Sequence, residues 1–318
     1  LRKYSKEEHN ISLNDIDQDA LYVISTLQQH GFTAYLVGGS IRDLLLGQKP
    51  KDFDISTSAR PEDLRSLFRG RCLLIGRRFR LAHIRFKDKI IEVSTFRSGS
   101  VSEENLIVHD NTWGTPEEDV LRRDFKMNGL FFDPTTQTII DYVGGFEDTQ
   151  NRLLEVIGDP LVRFKQDPVR MIRMLKFLAR FDLRIDEKTK VDFMQVRHDI
   201  LKSSQARILE EILRMLHCGC SEKFFMLMSE YGLLELLLPE VGKFVKEPGG
   251  EEVFNLLREL DQLILKFPSV QIDRAILVSC LLFPIIDVNL KNLTSPDTKP
   301  PQASIIQSVV SSHIETSF

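Results

Sequence analysis

The chain has 318 residues, 42% hydrophobic and 28% charged, a globular composition long enough for two or three domains. Its formal charge of −4, from 42 basic and 46 acidic residues, argues against a surface that grips polyanions everywhere. Four cysteines at this length exclude a disulfide framework and fit reduced thiols in a cytoplasmic protein.

Charge is unevenly placed. Arg60 to Arg97 holds eleven basic and four acidic residues, a local excess of seven and a candidate polyanion footprint. A solvated charged face is the plainer alternative. His217, Cys218 and Cys220 cluster, but the second ligand pair that structural zinc needs is missing. The polar start, Leu1 to Lys6, reads as no secretory signal. The apolar run Ala275 to Ile286 is too short to span a bilayer and reads as a buried helix. The initial Leu and the Ser-, Thr-, Pro- and Asn-rich last thirty residues suggest a fragment or a disordered tail.

In chain order, apolar spacing predicts a helix over 16–30, ended by Gly31, then a strand over 32–37. Gly38-Gly39 is a turn, and Ser40 is placed to cap a helix running to Leu46. A strand is expected over 51–56 and a short helix over 61–68, with Ser58 as its cap. Strands follow over 72–75, 82–86 and 89–96, then a loop over 98–117. A helix over 116–128 precedes strands over 130–132 and 139–142. Beyond residue 150 the pattern turns helical: 167–180, 187–193, 204–216, 222–231, 252–265 and 274–282. This is an α+β domain followed by an all-helical part.

Three acids stand out. Asp52 and Asp54, two apart on an expected strand, leave the same face. Such neighbours repel unless a cation lies between them. Glu92, on the strand over 89–96, faces away from Ile91 and Val93 and would complete the set. Magnesium favours a few carboxylates plus phosphate oxygens, and two-metal sites hold ions roughly 3.5–4 Å apart. Gly38-Gly39 before a helix suits close approach of an anion, with Arg42 adding charge. A turn pair with a surface arginine is the plainer reading.

Together, Leu36-Val37-Gly38-Gly39-Ser40-Ile41-Arg42-Asp43 and Lys51-Asp52-Phe53-Asp54 resemble the head signature of class II nucleotidyltransferases in the DNA polymerase β superfamily. That family holds bacterial poly(A) polymerases and CCA-adding enzymes. The resemblance continues at Arg122-Arg123-Asp124-Phe125-Lys126-Met127-Asn128, at Asp141-Tyr142-Val143-Gly144-Gly145 and at Asp167-Pro168-Val169-Arg170-Met171-Ile172-Arg173, and covers about residues 30–240. It implies a polymerase-β-like head, a mixed antiparallel sheet with helices, over 1–150. A helical neck over 151–215 and the start of a helical RNA-binding body over 216–318 would follow.

The resemblance also implies roles. Asp52 and Asp54 would bind two Mg²⁺ ions, with Mn²⁺ as a substitute, and Glu92 would deprotonate or orient the RNA 3′-OH. Gly38, Gly39 and Arg42, with Asp43, would serve the triphosphate. Arg123 and Asn128 would face phosphate or sugar, and Asp124 the ribose. Asp167 and Arg170, with Arg173 on the same helix, would read the base. A carboxylate and a guanidinium match the donor–acceptor edge of adenine and of cytosine alike. Asp167 before Pro168 also suits an N-cap, and Gln166 stands where the family carries an acid.

The segment Leu73-Leu74-Ile75-Gly76-Arg77-Arg78-Phe79-Arg80-Leu81-Ala82-His83-Ile84 resembles the stretch that marks poly(A) polymerases. Arg77, Arg78 and Arg80 would contact RNA or triphosphate, or be merely solvated. The resemblance implies ATP and RNA 3′ ends as partners and AMP addition as the activity. A CCA-adding enzyme is the alternative, and an inactive RNA-binding scaffold a second one. No oligomeric state follows.

Overall fold

The computed structural model describes residues 1–76, 81–98 and 112–293, the side chains of the last two excepted. Arg77, Arg78 and Arg80, most of the expected loop over 98–117 and the expected tail therefore lie outside the described residues. The chain divides into two compact units. The first is Leu1–Gln166 with Arg184–Lys190; the second is Asp167–Leu183 with the chain from Val191 onward.

The described residues of the first unit hold ten strands: β1 (Arg2–Tyr4), β2 (Ala34–Val37), β3 (Asp54–Thr57), β4 (Cys72–Ile75), β5 (Leu81–Arg85), β6 (Ile90–Thr95), β7 (Arg97–Ser98), β8 (Thr112–Trp113), β9 (Leu130–Asp133) and β10 (Thr138–Asp141). Eight form one sheet in the order β1-β10-β9-β2-β3-β6-β5-β4, and β7 pairs with β8. Every pairing in the large sheet is antiparallel except β3 with β6. The expected mixed sheet with helices, followed by helices, is the fold observed.

Period two sorts the central strands between two cores. Leu36, Phe132 and Ile139 enter a large cluster with Val23, Ile24 and Leu27 of the helix Gln18–Gln29. Their neighbours Val37, Phe131 and Ile140 enter a second cluster with Phe96, Val120 and Ile157. Both faces of β2, β9 and β10 are thus covered by protein, which is why these strands read as continuous apolar runs.

Local departures have physical causes. Asp52 is not in a strand: β3 starts at Asp54, opposite Val37. Its partner β2 stops there because Gly38 turns the chain at φ +67°, leaving residues 51–53 no ladder. Ser40 lies inside the helix Gly39–Leu45 and donates to the carbonyl of Val37, so Gly38 takes the cap position. Ser58 accepts from the Thr33 amide instead of capping, and Asp63 accepts from the Arg60 amide at that helix start. The expected helix over 116–128 stops at Leu121. Phe125 bridges Val156, Lys126 N–H donates to the Glu155 carbonyl and Ile157 N–H to that of Asp124, so residues 124–126 are drawn into strand-like pairing.

The second unit is helical. The helix Ser221–Glu230 packs on Val169–Phe181 and on Glu251–Lys266, burying Phe224, Phe225, Met228, Ile172, Leu175 and Leu257. Asp261 accepts from the amides of Ser221 and Glu222, a cap supplied by another helix. The apolar run at 275–286 forms part of the helix Arg274–Leu293, which continues through Pro284. No described helix is long and apolar enough to cross a membrane.

Candidate active site

The acids assemble through the parallel pair. Ile55 and Val93 are register partners and both lie in the large core, so Asp54 and Glu92, one residue earlier on each strand, leave side by side from the opposite face. They open into a cleft of about 740 Å³ whose walls include Asp52, His83, Arg85, Lys87 and Lys89. Asp52 reaches it from the segment before β3.

Asp54 carries the electrostatic signature of this crowding. The residue is exposed in the cleft. Desolvation by the surrounding protein, then the charges of Glu92 and Asp52, push its pKa up to about 6 against the opposing pull of Arg123. A carboxyl group crowded by two further acids in this way suits a hard cation. Among the described residues, however, no three His, Cys, Asp or Glu side chains are arranged to enclose a metal ion. Mg²⁺ rarely needs such a cage, since one or two carboxylates plus substrate phosphates satisfy it. The all-oxygen donors and the open cleft fit that mode.

A second cluster joins two motifs far apart in sequence. The buried Arg42 donates through Nε and Nη2 to Asp43 Oδ1, at 2.9 and 2.6 Å, and through Nη1 to Asn128 Oδ1 at 2.6 Å. Asn128 Nδ2 donates to Asp124 Oδ1 at 2.9 Å. The guanidinium of Arg42 is thus committed inside the fold. Arg123, whose charge acts on Asp54, is held otherwise: Nη2 donates to Asp119 Oδ2 at 2.9 Å, Nη1 to the Asn128 carbonyl at 3.2 Å, and the group lies 5.5 Å over the Phe131 ring. A Cβ on Gly38 would come within 3.1 Å of Arg123 Nη1, so both φ and space favour glycine there. Gly39 opens the helix beside Arg42, where a Cβ would meet Nη2 at 3.4 Å.

The Asp141 motif is structural. Asp141 Oδ1 accepts from the amides of Val143, Gly144 and Gly145, and Oδ2 from that of Phe146. A Cβ on Gly145 would sit 2.0 Å from the Lys126 carbonyl oxygen, so glycine is obligatory.

Asp167, Arg170 and Arg173 lie at the start of the first helix of the second unit. Pro168 occupies the cap position, and Asp167 Oδ2 accepts from Arg207 Nη2 at 3.0 Å rather than from a helix amide. Asp167 Oδ1 is buried without a hydrogen-bond partner. Arg170 is buried and Arg173 half-buried. In the first unit, Gln166 is buried and accepts from Arg163 Nη1 at 3.5 Å.

Two residues in these clusters were not singled out from the sequence. His83 pairs across β5 and β6 with Glu92, its Nε2 3.3 Å from Oε1. Asp119, buried, holds Arg123 and accepts from the Arg97 amide. Alternation along β5 places His83 opposite the core residues Ala82 and Ile84, but the register that sets it against Glu92 is not written in spacing.

Comparison with known proteins accords with this geometry. Residues 34–155 match the model for the poly A polymerase head domain, and residues 182–245 that for the probable RNA- and SrmB-binding site of polymerase A. The chain is 41% identical over 261 residues to poly(A) polymerase I of Haemophilus influenzae, which covers 77% of this chain and 58% of that protein. It is 37% identical over 205 residues to the CCA-adding enzyme of Lactobacillus helveticus, covering 64% of this chain and 51% of that one. The Bacillus stearothermophilus CCA-adding enzyme, solved with CTP, superposes with a TM-score of 0.62 at 25% identity, over 93% of this chain and 82% of that one. The chain thus spans little more than half the length of the curated relatives it matches. The chain belongs to the nucleotidyltransferase family that unites the poly(A) polymerases and the CCA-adding enzymes.

Proposed function

We propose that this protein transfers AMP from ATP to RNA 3′ ends without a template. The juxtaposition of Asp54 and Glu92 on parallel neighbours, in one cleft with Asp52, carries this reading. The poly(A) polymerase relatives support the choice of nucleotide, being more similar over a longer stretch than the CCA-adding ones.

In this reading Asp52 and Asp54 would hold Mg²⁺, which when bound supplies positive charge beside the phosphate oxygens. Glu92 accepts the proton of the RNA 3′-OH or orients it. Arg123, fixed by Asp119 and the Asn128 carbonyl, offers its guanidinium to the triphosphate. Gly38 lets the backbone pass close to it. Arg42, Asp43, Asp124 and Asn128 act as the scaffold that keeps this wall in place. Residues 1–150 would be the catalytic head, 151–215 the neck, and 216–318 the start of an RNA-binding body. On the neck, Asp167 and Arg170 would face the base, with Arg173 beside them.

Primer extension with each nucleotide separately tests the reading. Mg²⁺, an oligo(A) primer and ATP should yield long tails, and CTP little incorporation. Asp54→Asn should lower AMP transfer by roughly three orders of magnitude while leaving the circular dichroism spectrum unchanged; an active variant would refute its role. Arg170→Ala should relax the preference for ATP more than it raises KM. The second reading, CCA addition, is favoured by the solved CCA-adding enzyme and would win if a tRNA lacking its 3′ end gained only C, C and A.

A further inference from the structure

We propose that Cys218 and Cys220 form a dithiol that small disulfide oxidants convert to an intramolecular disulfide, a modification site separate from the acidic cleft. The two sulfurs lie 3.0 Å apart, about 1 Å beyond the length of an S–S bond. Backbone geometry produces the approach. The helix Gln205–Leu216 ends at His217, and Gly219 turns at φ +75° between the cysteines. The turn is pinned on its far side, where Ser221 and Glu222 amides bond to Asp261. A Cβ on Gly219 would meet the Leu265 side chain at 3.0 Å. Both cysteines are half-buried residues. Cys72 on β4 and Cys280 on the last described helix sit on other elements, and burial raises their pKa values.

The pair is chemically unequal. A hydrogen bond from Cys220 lowers the Cys218 thiol, while that same bond, then burial, raises Cys220. Cys218 is therefore the attacking thiolate. It displaces one thiolate from the oxidant disulfide, forming a mixed disulfide, and the departing thiolate takes up a proton. Cys220 loses its proton and attacks the Cys218 sulfur, expelling the second half of the oxidant. Two electrons and two protons pass from the protein dithiol to the oxidant, which leaves as two thiols. Closure would tighten the junction of the helices Gln205–Leu216 and Ser221–Glu230 without touching Asp52, Asp54 or Glu92.

Oxidised glutathione with the full chain is the test, read by intact mass and peptide mapping. The wild type should lose two hydrogens, retain no glutathione, and map the link to Cys218–Cys220. Cys220→Ser should trap one glutathione on Cys218, and Cys218→Ser should react about tenfold more slowly. A wild type that stays reduced, keeps a glutathione adduct, or links Cys72 or Cys280 would overturn the proposal. Because mapping of the wild type decides the matter, a variant that fails to fold leaves it falsifiable.

Discussion

Asp148 shows how one carboxyl group sets a pH dependence. It is 9% exposed, its Oδ2 is buried without a hydrogen bond, and Lys126 Nζ stands 3.9 Å away. Burial raises its pKa to about 6; Lys126 opposes the rise, and Glu155, Asp141 and Glu147 add to it. A folded-state value above the ordinary one means the fold favours the protonated form. Its contribution is complete below about pH 4 and lost as pH climbs through about 6, a difference of up to about 3 kcal/mol. Asp148→Asn should therefore match the wild-type Tm near pH 4 and exceed it near pH 8. Equal Tm values at both pH values would show that the carboxylate is solvated. The same sign holds at Asp54, so Mg²⁺ should raise Tm more near pH 8 than near pH 5, and Asp54→Asn should remove most of that difference.

Elements defined by local periodicity were legible, and elements defined by distant partners were not. The helix Pro61–Phe68 and strand Cys72–Ile75 coincide with the expected bounds, because apolar spacing and Pro61 suffice to mark them. The helix over 116–128 was misread because its second half obeys residues 155–157, some thirty positions away. The short elements Arg2–Tyr4 and Gly145–Gln150 escaped notice, since three to six residues carry too little pattern. At the site, Asp54 and Glu92 were legible as outward-facing acids, whereas the commitment of Arg42 to Asp43 and Asn128 was not. That commitment is measurable. Asn128→Ala leaves a buried guanidinium short of an acceptor and Asp124 short of a donor, and should cost about 2–4 kcal/mol in urea unfolding. A loss below about 1 kcal/mol would mean that water replaces the amide.

Over the whole molecule, charge is segregated rather than abundant. The net −4 hides a basic stretch from Arg60 to Arg97, part of which, Arg85 and Lys87, lines the acidic cleft. Under the proposed function RNA affinity should fall with salt, and Arg85→Gln and Lys87→Gln should each flatten the log–log slope by about 0.7 where that side chain touches a phosphate. An unchanged slope would place the RNA elsewhere.

The parallel pairing of β3 with β6 is also a non-local contact. An antiparallel hairpin such as β4–β5 closes over a few residues, but β3 meets β6 across an excursion that holds the helix Pro61–Phe68 and two strands. That contact carries the loop-closure entropy of the whole excursion and depends on neighbours already formed. By that measure Asp54 and Glu92 should come together after the β4–β5 hairpin closes, while β2 with β9 and β1 with β10 span longer excursions still. A chain in which β3 and β6 have not paired would lack the acidic cleft even with the β4–β5 hairpin formed.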